Sequence, residues 1–138
     1  ALHISQTQTS ELPPIVPMER PESIPLSFAQ ERLWFLDQFL PNSPLYNIPV
    51  ALKLKGHLHI ESLEMAFNSL ISRHESLRTI FKAENGIAAQ VILPPFSLSL
   101  SPVDYSNAED PQAKVMAVAQ EEAITPFVLS QGSLFRVH

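Results

Sequence analysis

The sequence predicts a mixed α/β or α+β fold in which helices pack against a sheet. Apolar residues recur at helical spacing in long segments, and in other segments they alternate with polar residues at the period of a half-buried strand. Asn85-Gly86 separates two strand-like runs and is the dipeptide most typical of a tight β-hairpin turn. The predicted order is helix, strand, helix, hairpin, strand, helix, strand.

The opening of the chain differs from the rest, because residues 13–25 contain five prolines. Each proline fixes its own φ and biases the residue before it toward extended geometry. The segment is therefore predicted to be a semi-rigid extended linker and not a helix. We divide the chain into a linker, residues 1–25, and a folded segment, residues 26–138.

Ser27 and Gln30 are spaced as a capping box, in which the serine hydroxyl accepts from the Gln30 amide and the Gln30 side chain reaches back. The first helix begins there, is apolar over most of its circumference and ends before Pro41, so we expect it to be largely buried. Alternating apolar residues from Tyr46 to Gly56 then predict a half-buried strand.

A second helix is predicted from Ile60 to Leu77, with one apolar face and one polar face. The hairpin follows, and residues 96–101 alternate apolar residues with serine, which predicts another short strand. Asp110 as N-cap and Pro111 in the first turn begin a third helix that runs to about Thr125. A final strand is predicted to begin near Leu134.

The composition excludes several classes of protein. The chain has no cysteine, which removes disulfides, thiolate metal sites and a cysteine nucleophile. Nine basic against 14 acidic side chains give no positive field for a phosphate backbone, so no nucleic-acid partner is expected. No apolar stretch reaches the ~18 residues of a membrane span, and no membrane contact is expected. We predict a cytoplasmic protein, and its strand-like last residues predict a piece of a longer one.

The histidines are the first candidates for chemistry. His57 and His59 could offer two imidazoles to a metal ion, but no third ligand is evident and His59 also fits a helix N-cap, so no metal site is predicted. His74 lies on the apolar face of the second helix, where we expect it to be partly desolvated. A core histidine bonded to a carbonyl is the simpler interpretation of His74, and a catalytic base is the alternative.

Charged residues crowd the end of the second helix. Arg73 and Glu75 are two positions apart and cannot face each other on a helix, so each is expected to face another partner. Arg78 either holds a carboxylate from elsewhere in the chain or is a surface arginine. Ser27 lacks the surroundings of a nucleophile, since no Gly-x-Ser-x-Gly turn contains it. The residues alone therefore indicate no self-sufficient active site.

Four segments match motifs of a known family, and they are Pro25–Leu36, Tyr46–Pro49, Arg73–Phe81 and Phe127–Arg136. The first, here called motif one, and the third, here called motif two, resemble the two opening core motifs of the condensation domains of nonribosomal peptide synthetases. All four occur in that family's order. The resemblance covers about residue 13 to the end, and residues 1–25 resemble the linker from a preceding carrier domain.

The resemblance implies a chloramphenicol-acetyltransferase-like fold, of which this chain is the early part of the N-terminal lobe. Such domains join an aminoacyl or peptidyl thioester on an upstream peptidyl carrier domain to the amine of an aminoacyl group on a downstream carrier. The carriers hold 4'-phosphopantetheine, and the condensation domain itself binds no cofactor. The other implied partners are the remainder of the domain and the adenylation domain of the same synthetase.

The resemblance also implies scaffold roles for the motif residues that are present, with Trp34 packing and Arg78 organising an ion pair. These residues are Ser27, Gln30, Arg32, Trp34, Arg73, His74, Glu75 and Arg78. The family's catalytic His-His-x-x-x-Asp-Gly motif is expected beyond His138, so the piece alone should be inactive and should expose hydrophobic surface. The alternatives are a noncatalytic carrier-binding module of the same fold and an acyltransferase that uses a free amine or alcohol.

Overall fold

The computed structural model describes Pro14 and residues 16–138. The chain mixes helices and strands, as predicted. The strands are β1, Ile24–Pro25, β2, Thr79–Glu84, and β3, Ile87–Ile92; the helices are α1, Phe28–Phe39, α2, Ile60–Arg73, and α3, Pro111–Ile124, with a 3-10 helix over Glu75–Arg78. None of the helices in the described part of the chain is long and apolar enough to cross a membrane.

The three strands form one antiparallel sheet in the order β1-β3-β2. The predicted hairpin is confirmed: Asn85 and Gly86 both have positive φ, 53° and 82°, as a two-residue hairpin turn requires. β1 pairs with the other side of β3, placing Ile24 opposite Gln90. Its second residue is Pro25, which a sheet tolerates on an edge strand because proline has no amide hydrogen to donate.

The local signals for helix ends are confirmed. Ser27 and Gln30 form both hydrogen bonds of a capping box at the start of α1, and Asp110 caps α3 by accepting from the Ala113 amide. α1 ends at Phe39, just before Pro41. In the described part of residues 1–25 there is no helix, also as predicted, and residues 1–13 and 15 lie outside the described residues.

The second helix is shorter than predicted, since α2 ends at Arg73 and not at Leu77. His74 has extended backbone geometry, and the next four residues form the 3-10 helix. This break turns the chain into the sheet, where the Leu93 amide donates to the Arg78 carbonyl at 2.9 Å and extends the hairpin ladder beyond β2 and β3.

Three predicted strands are wrong, because residues 46–56, 96–101 and 134–138 form none in the described structure. The alternating pattern of residues 46–56 is real, but no described strand pairs with it and Ile48 is 90% exposed. The backbone of Leu98 bonds to a side chain instead: its amide donates to Asn68 Oδ1 at 2.7 Å, and its carbonyl accepts from Asn68 Nδ2 at 2.9 Å.

Little of the described chain is buried. The buried apolar residues are Leu26, just after β1, Ile71 in α2 and Ile80 in β2. α1 has no buried residue, so the prediction that it is largely buried is wrong for this chain. The accessible surface is 12216 Å², against about 7,200 Å² for a compact monomer of this size. The apolar faces of the helices therefore lack the cover that a complete core would give them.

Candidate functional site

Motif one is tied to the sheet by a chain of amide hydrogen bonds. The Ser27 amide donates to Gln30 Oε1 at 2.8 Å, Gln30 Nε2 donates to Gln90 Oε1 at 3.1 Å, and Gln90 Nε2 donates to the Pro25 carbonyl at 2.8 Å. Gln30 and Gln90 thereby connect α1, β3 and β1. The Ser27 hydroxyl accepts from the Gln30 amide at 3.4 Å, so its observed contact is that of a helix cap.

The other two candidate residues of motif one lie on α1 and differ in exposure. Arg32 is exposed, and it makes no ion pair or hydrogen bond with the residues that the structure describes. Trp34 is half-buried. A packing role for Trp34 and a scaffold role for Arg32 stay predictions, because no described contact of either side chain tests them.

Motif two contains an ion-pair cluster centred on Glu75. Arg20 reaches the Glu75 carboxylate with both terminal nitrogens, at 3.0 and 2.6 Å, although the two residues are 55 positions apart. Arg78 lies on the other side, with its Nη2 3.7 Å from Glu75 Oε1. The carboxylate that faces Arg78 thus comes from the same motif, three residues earlier, and not from elsewhere in the chain.

The charge of Glu75 depends on these neighbours. The hydrogen bonds from Arg20 hold the pKa of the Glu75 carboxyl below its ordinary value of 4.5; desolvation opposes them, and the charges of Arg20 and Arg78 add to the lowering. Because the pKa is lowered in the folded chain, the attraction is fully present above that ordinary value. It is lost as the pH falls through the lowered pKa.

Arg78 is not a surface arginine, since its side chain is 12% exposed. Its Nη1 donates to the Leu93 carbonyl beyond the end of β3, while the Leu93 amide donates to the Arg78 carbonyl. The buried Nε of Arg78 has no hydrogen-bond partner in the described part of the chain. Arg78 therefore joins the Glu75 cluster to the base of the hairpin, an arrangement that suits a scaffold residue.

The remaining candidates near α2 are exposed. His74 lies at the C-cap of α2 with its side chain exposed, so the expected desolvation is wrong: the helix ends there and its apolar stripe does not continue. Arg73 is also exposed. His59 is an N-cap whose Nδ1 accepts from the Ser62 amide at 3.2 Å. Across the described residues no cluster of three potential metal ligands occurs.

A second polar cluster, which we call the α3 lock, holds the C-terminal end of α3. Arg136 donates from Nη2 to the Thr125 carbonyl at 2.7 Å and from Nη1 to the Pro126 carbonyl at 3.2 Å. Its Nε contacts Glu122 at 3.1 Å, and its guanidinium lies 4.0 Å from the centre of the Phe127 ring. Thr125 is the C-cap of α3, and its carbonyl has no donor within the helix, so Arg136 supplies one.

Asn47 completes the α3 lock from a distant part of the chain. Its Nδ2 donates to the carbonyls of Ala123 and Thr125, at 3.0 and 2.9 Å. Asn47 and Arg136 both belong to segments that resemble family motifs, but their joint role was not predicted. The sequence pattern does not predict this contact, because both residues lie outside α3 and neither continues its helical periodicity.

Replacing Arg136 by glutamine should loosen the end of α3. The substitution removes charge-assisted hydrogen bonds to two carbonyls and the stacking on Phe127, and we expect a local destabilisation of about 1–3 kcal/mol. Amide hydrogen exchange of residues 121–125 measures it. Lys114→Gln, an exposed substitution in the first turn of the same helix, is the control; equal exchange in the two variants would contradict the α3 lock.

The fold and its motif clusters define the class of protein. A mixed helix-and-sheet unit, with both motifs joined to one small sheet, is the opening part of a chloramphenicol-acetyltransferase-like domain. The sequence pattern of the Condensation domain family matches residues 21–138, and the chain belongs to that family. The resemblance stated from the motifs is thereby confirmed.

Solved structures support the same fold. The X-domain from teicoplanin biosynthesis superposes with a TM-score of 0.75 at 29% identity, covering 88% of this chain and 25% of that one. The starter condensation domain of rhizomide synthetase superposes with a TM-score of 0.72 at 29% identity, covering 80% of this chain and 26% of that one. The chain therefore corresponds to about a quarter of each of these structures.

Sequence relatives are much longer proteins. One of the linear gramicidin synthase proteins of Brevibacillus parabrevis is 50% identical over 126 residues, 89% of this chain and 2% of the relative. Malpinin synthetase of Mortierella alpina is 40% identical over 129 residues, 94% of this chain and 2% of the relative. The chain spans about one fiftieth of the length of these relatives.

Proposed function

We propose that this chain is the N-terminal part of a condensation domain that forms peptide bonds in a multidomain nonribosomal peptide synthetase. The observation that carries the proposal is the family match over residues 21–138. In the proposed reaction, the amine of a downstream carrier-bound aminoacyl group attacks the thioester carbonyl of an upstream carrier-bound donor. The new C–N bond replaces the C–S bond, and the donor carrier keeps its phosphopantetheine thiol.

In this proposal the chain supplies scaffold and not the catalytic base. The family's His-His-x-x-x-Asp-Gly motif does not occur in the sequence, whose histidines are His3, His57, His59, His74 and His138. The contacts of motif one and the Glu75 cluster support a scaffold role, since both join helices to the sheet. The catalytic imidazole then belongs to another part of the domain, and the chain alone is inactive.

The proposed partners follow from the reaction. They are the upstream and downstream peptidyl carrier domains, the remainder of the condensation domain and the adenylation domain that loads the acceptor carrier. 4'-Phosphopantetheine is carried by the carrier domains and is not bound by this chain as its own cofactor. The proposed location is the cytoplasm, where the aminoacyl adenylates that feed such a synthetase are made from ATP.

The test compares this chain with the complete domain that contains it. We expect the complete domain, given donor and acceptor groups on separate carrier proteins, to yield the carrier-bound condensation product, detected by mass spectrometry of the acceptor carrier. The 138-residue chain should give no product above the carrier-only background. Alanine at the second histidine of the complete domain's catalytic motif should abolish the product while carrier binding persists.

Three results would count against this function. Product from the 138-residue chain alone would show that the reaction does not need the family's catalytic motif. Carrier binding by the complete domain without product would favour the noncatalytic carrier-binding module. Product formed from a free amine or alcohol, and not from a carrier-bound acceptor, would favour the acyltransferase with a free acceptor.

A further inference from the structure

The proline-rich segment before α1 is fastened to the domain at two places. We call residues 16–25 the strap. Near its middle, Arg20 binds the Glu75 carboxylate with both terminal nitrogens. At its end, β1 pairs with β3, and the Gln90 side chain donates to the Pro25 carbonyl at 2.8 Å. The strap therefore contacts the start of the 3-10 helix as well as the sheet.

The geometry of the Arg20 contact is specific. Two parallel nitrogen-to-oxygen contacts require the guanidinium and carboxylate planes to align, which a nonspecific surface attraction does not. The acceptor is also held in place, because Glu75 lies in the 3-10 helix and faces Arg78, whose side chain is 12% exposed. A fixed acceptor makes Arg20 an attachment point for the strap.

The composition of the strap favours attachment over a flexible tether. Pro17 and Pro21 flank Arg20 and fix φ on both sides of it, so fewer backbone conformations are lost when Arg20 binds. Without the Arg20 contact, the first attachment of the strap to the domain is at β1. The contact therefore moves the fixed point of the chain from Ile24 back to Arg20.

We propose that Arg20 is a positioning residue that locks the strap onto motif two, so that whatever precedes the strap starts from a fixed point on the condensation domain. The proposal rests on the proposed function in one respect, namely that residues 1–25 join an upstream carrier domain to this one. When a tether is long enough to span the two sites, removing excess mobile length raises the effective concentration of the carrier at the domain. The Arg20–Glu75 contact thus favours the donor carrier of the same protein over a donor carrier on a separate protein.

Limited proteolysis tests the Arg20–Glu75 contact without any assay of activity. In the synthetase that contains this chain, endoproteinase Glu-C should cleave after Glu22 about twofold to fivefold faster when Arg20 is changed to glutamine, since a single exposed ion pair holds the strap. Arg20→Lys, which keeps the charge but cannot make two parallel contacts, should cleave at a rate between wild type and Arg20→Gln. Lys82→Gln on β2, an exposed loss of one positive charge, is the matched control. Cleavage of Arg20→Gln at the control rate would show that Arg20 does not hold the strap.

The ratio of cis to trans activity tests the positioning role. With the donor on the natural upstream carrier, Arg20→Gln should lower the condensation rate about twofold to fivefold. With the donor on a separate, excised carrier protein, the same variant should keep the wild-type rate. A merely structural defect would lower both rates equally, and that result, or an unchanged ratio, would overturn the proposal.

The two experiments separate this inference from the function on which it rests. If neither carrier supports condensation in the wild-type protein, the proposed function fails, and the cleavage rates still decide whether Arg20 locks the strap. If the trans reaction proceeds and Arg20→Gln changes neither cleavage nor the ratio, the function stands and the positioning role of Arg20 is wrong.

Discussion

The isolated 138-residue chain should self-associate and should lack a sharp, monomeric, cooperative unfolding transition. Its accessible surface of 12216 Å² exceeds by more than half the ~7,200 Å² of a compact monomer of this size. Large apolar side chains are exposed on it: on α1, Phe28 is 91% exposed and Phe39 is 72% exposed. Exposed apolar side chains that lie together drive association. Sedimentation and light scattering over a range of concentrations measure it, with urea unfolding followed by circular dichroism.

A pair of variants locates the face responsible for the association. Phe35 and Phe39 stack with ring centres 6.5 Å apart on the exposed side of α1. Changing both to glutamine should raise the concentration at which the chain associates by about tenfold or more, since each removed ring contributes about 1.5–3 kcal/mol when buried. Ile87→Gln, which removes an exposed apolar residue at the hairpin turn, is the control and should have a smaller effect. A monomeric chain with one cooperative transition would contradict the prediction.

The parts of the fold that could be predicted from the sequence are those set by neighbours within a few residues. Ser27 and Asp110 cap helices through amides three residues further on, and Asn85-Gly86 sets its own turn. The strand predicted from Tyr46 to Gly56 fails for a different reason. Its alternating pattern predicts which face is apolar. A strand forms only where another strand pairs with it, and the nearby sequence does not indicate which segment that partner is.

The contacts of the candidate site could also be predicted only in part. The sequence indicated that Arg73 and Glu75 each face another partner, and Glu75 does, since it pairs with Arg20 and Arg78. Arg73 is exposed and makes no ion pair among the described residues, and the carboxylate beside Arg78 belongs to its own motif. It could not identify Arg20, which lies 55 positions before Glu75 in a segment without helical or strand periodicity. An arginine among prolines is ordinary in a linker, so only the folded chain shows that it binds motif two. The motifs identified the family, whereas the contacts in the folded chain show how Arg20, Glu75 and Arg78 are held together.

Replacing Ile71 by alanine should remove most of the protection of the small core. Ile71 is the one described side chain that is fully buried, at 0% exposure, and it shares the core with Leu26 and Ile80. Truncating a buried isoleucine to alanine costs about 2–5 kcal/mol, the transfer energy of the lost methyl and methylene groups plus the cavity they leave. We expect amide hydrogen exchange of α2 and β2 in the isolated chain to accelerate about 30-fold or more.

The neighbouring residue provides the matched control for this substitution. Leu70 has a side chain of the same volume on the same helix but is 45% exposed in this chain, so Leu70→Ala leaves no closed cavity and should change exchange by less than about fivefold. The comparison isolates burial, because helix propensity and position are nearly equal for the two substitutions. Equal acceleration in the two variants would show that the burial of Ile71 does not decide the protection of α2 and β2. Strong loss of protection in Ile71→Ala alone would show that the burial of Ile71 stabilises α2 and β2 in this chain.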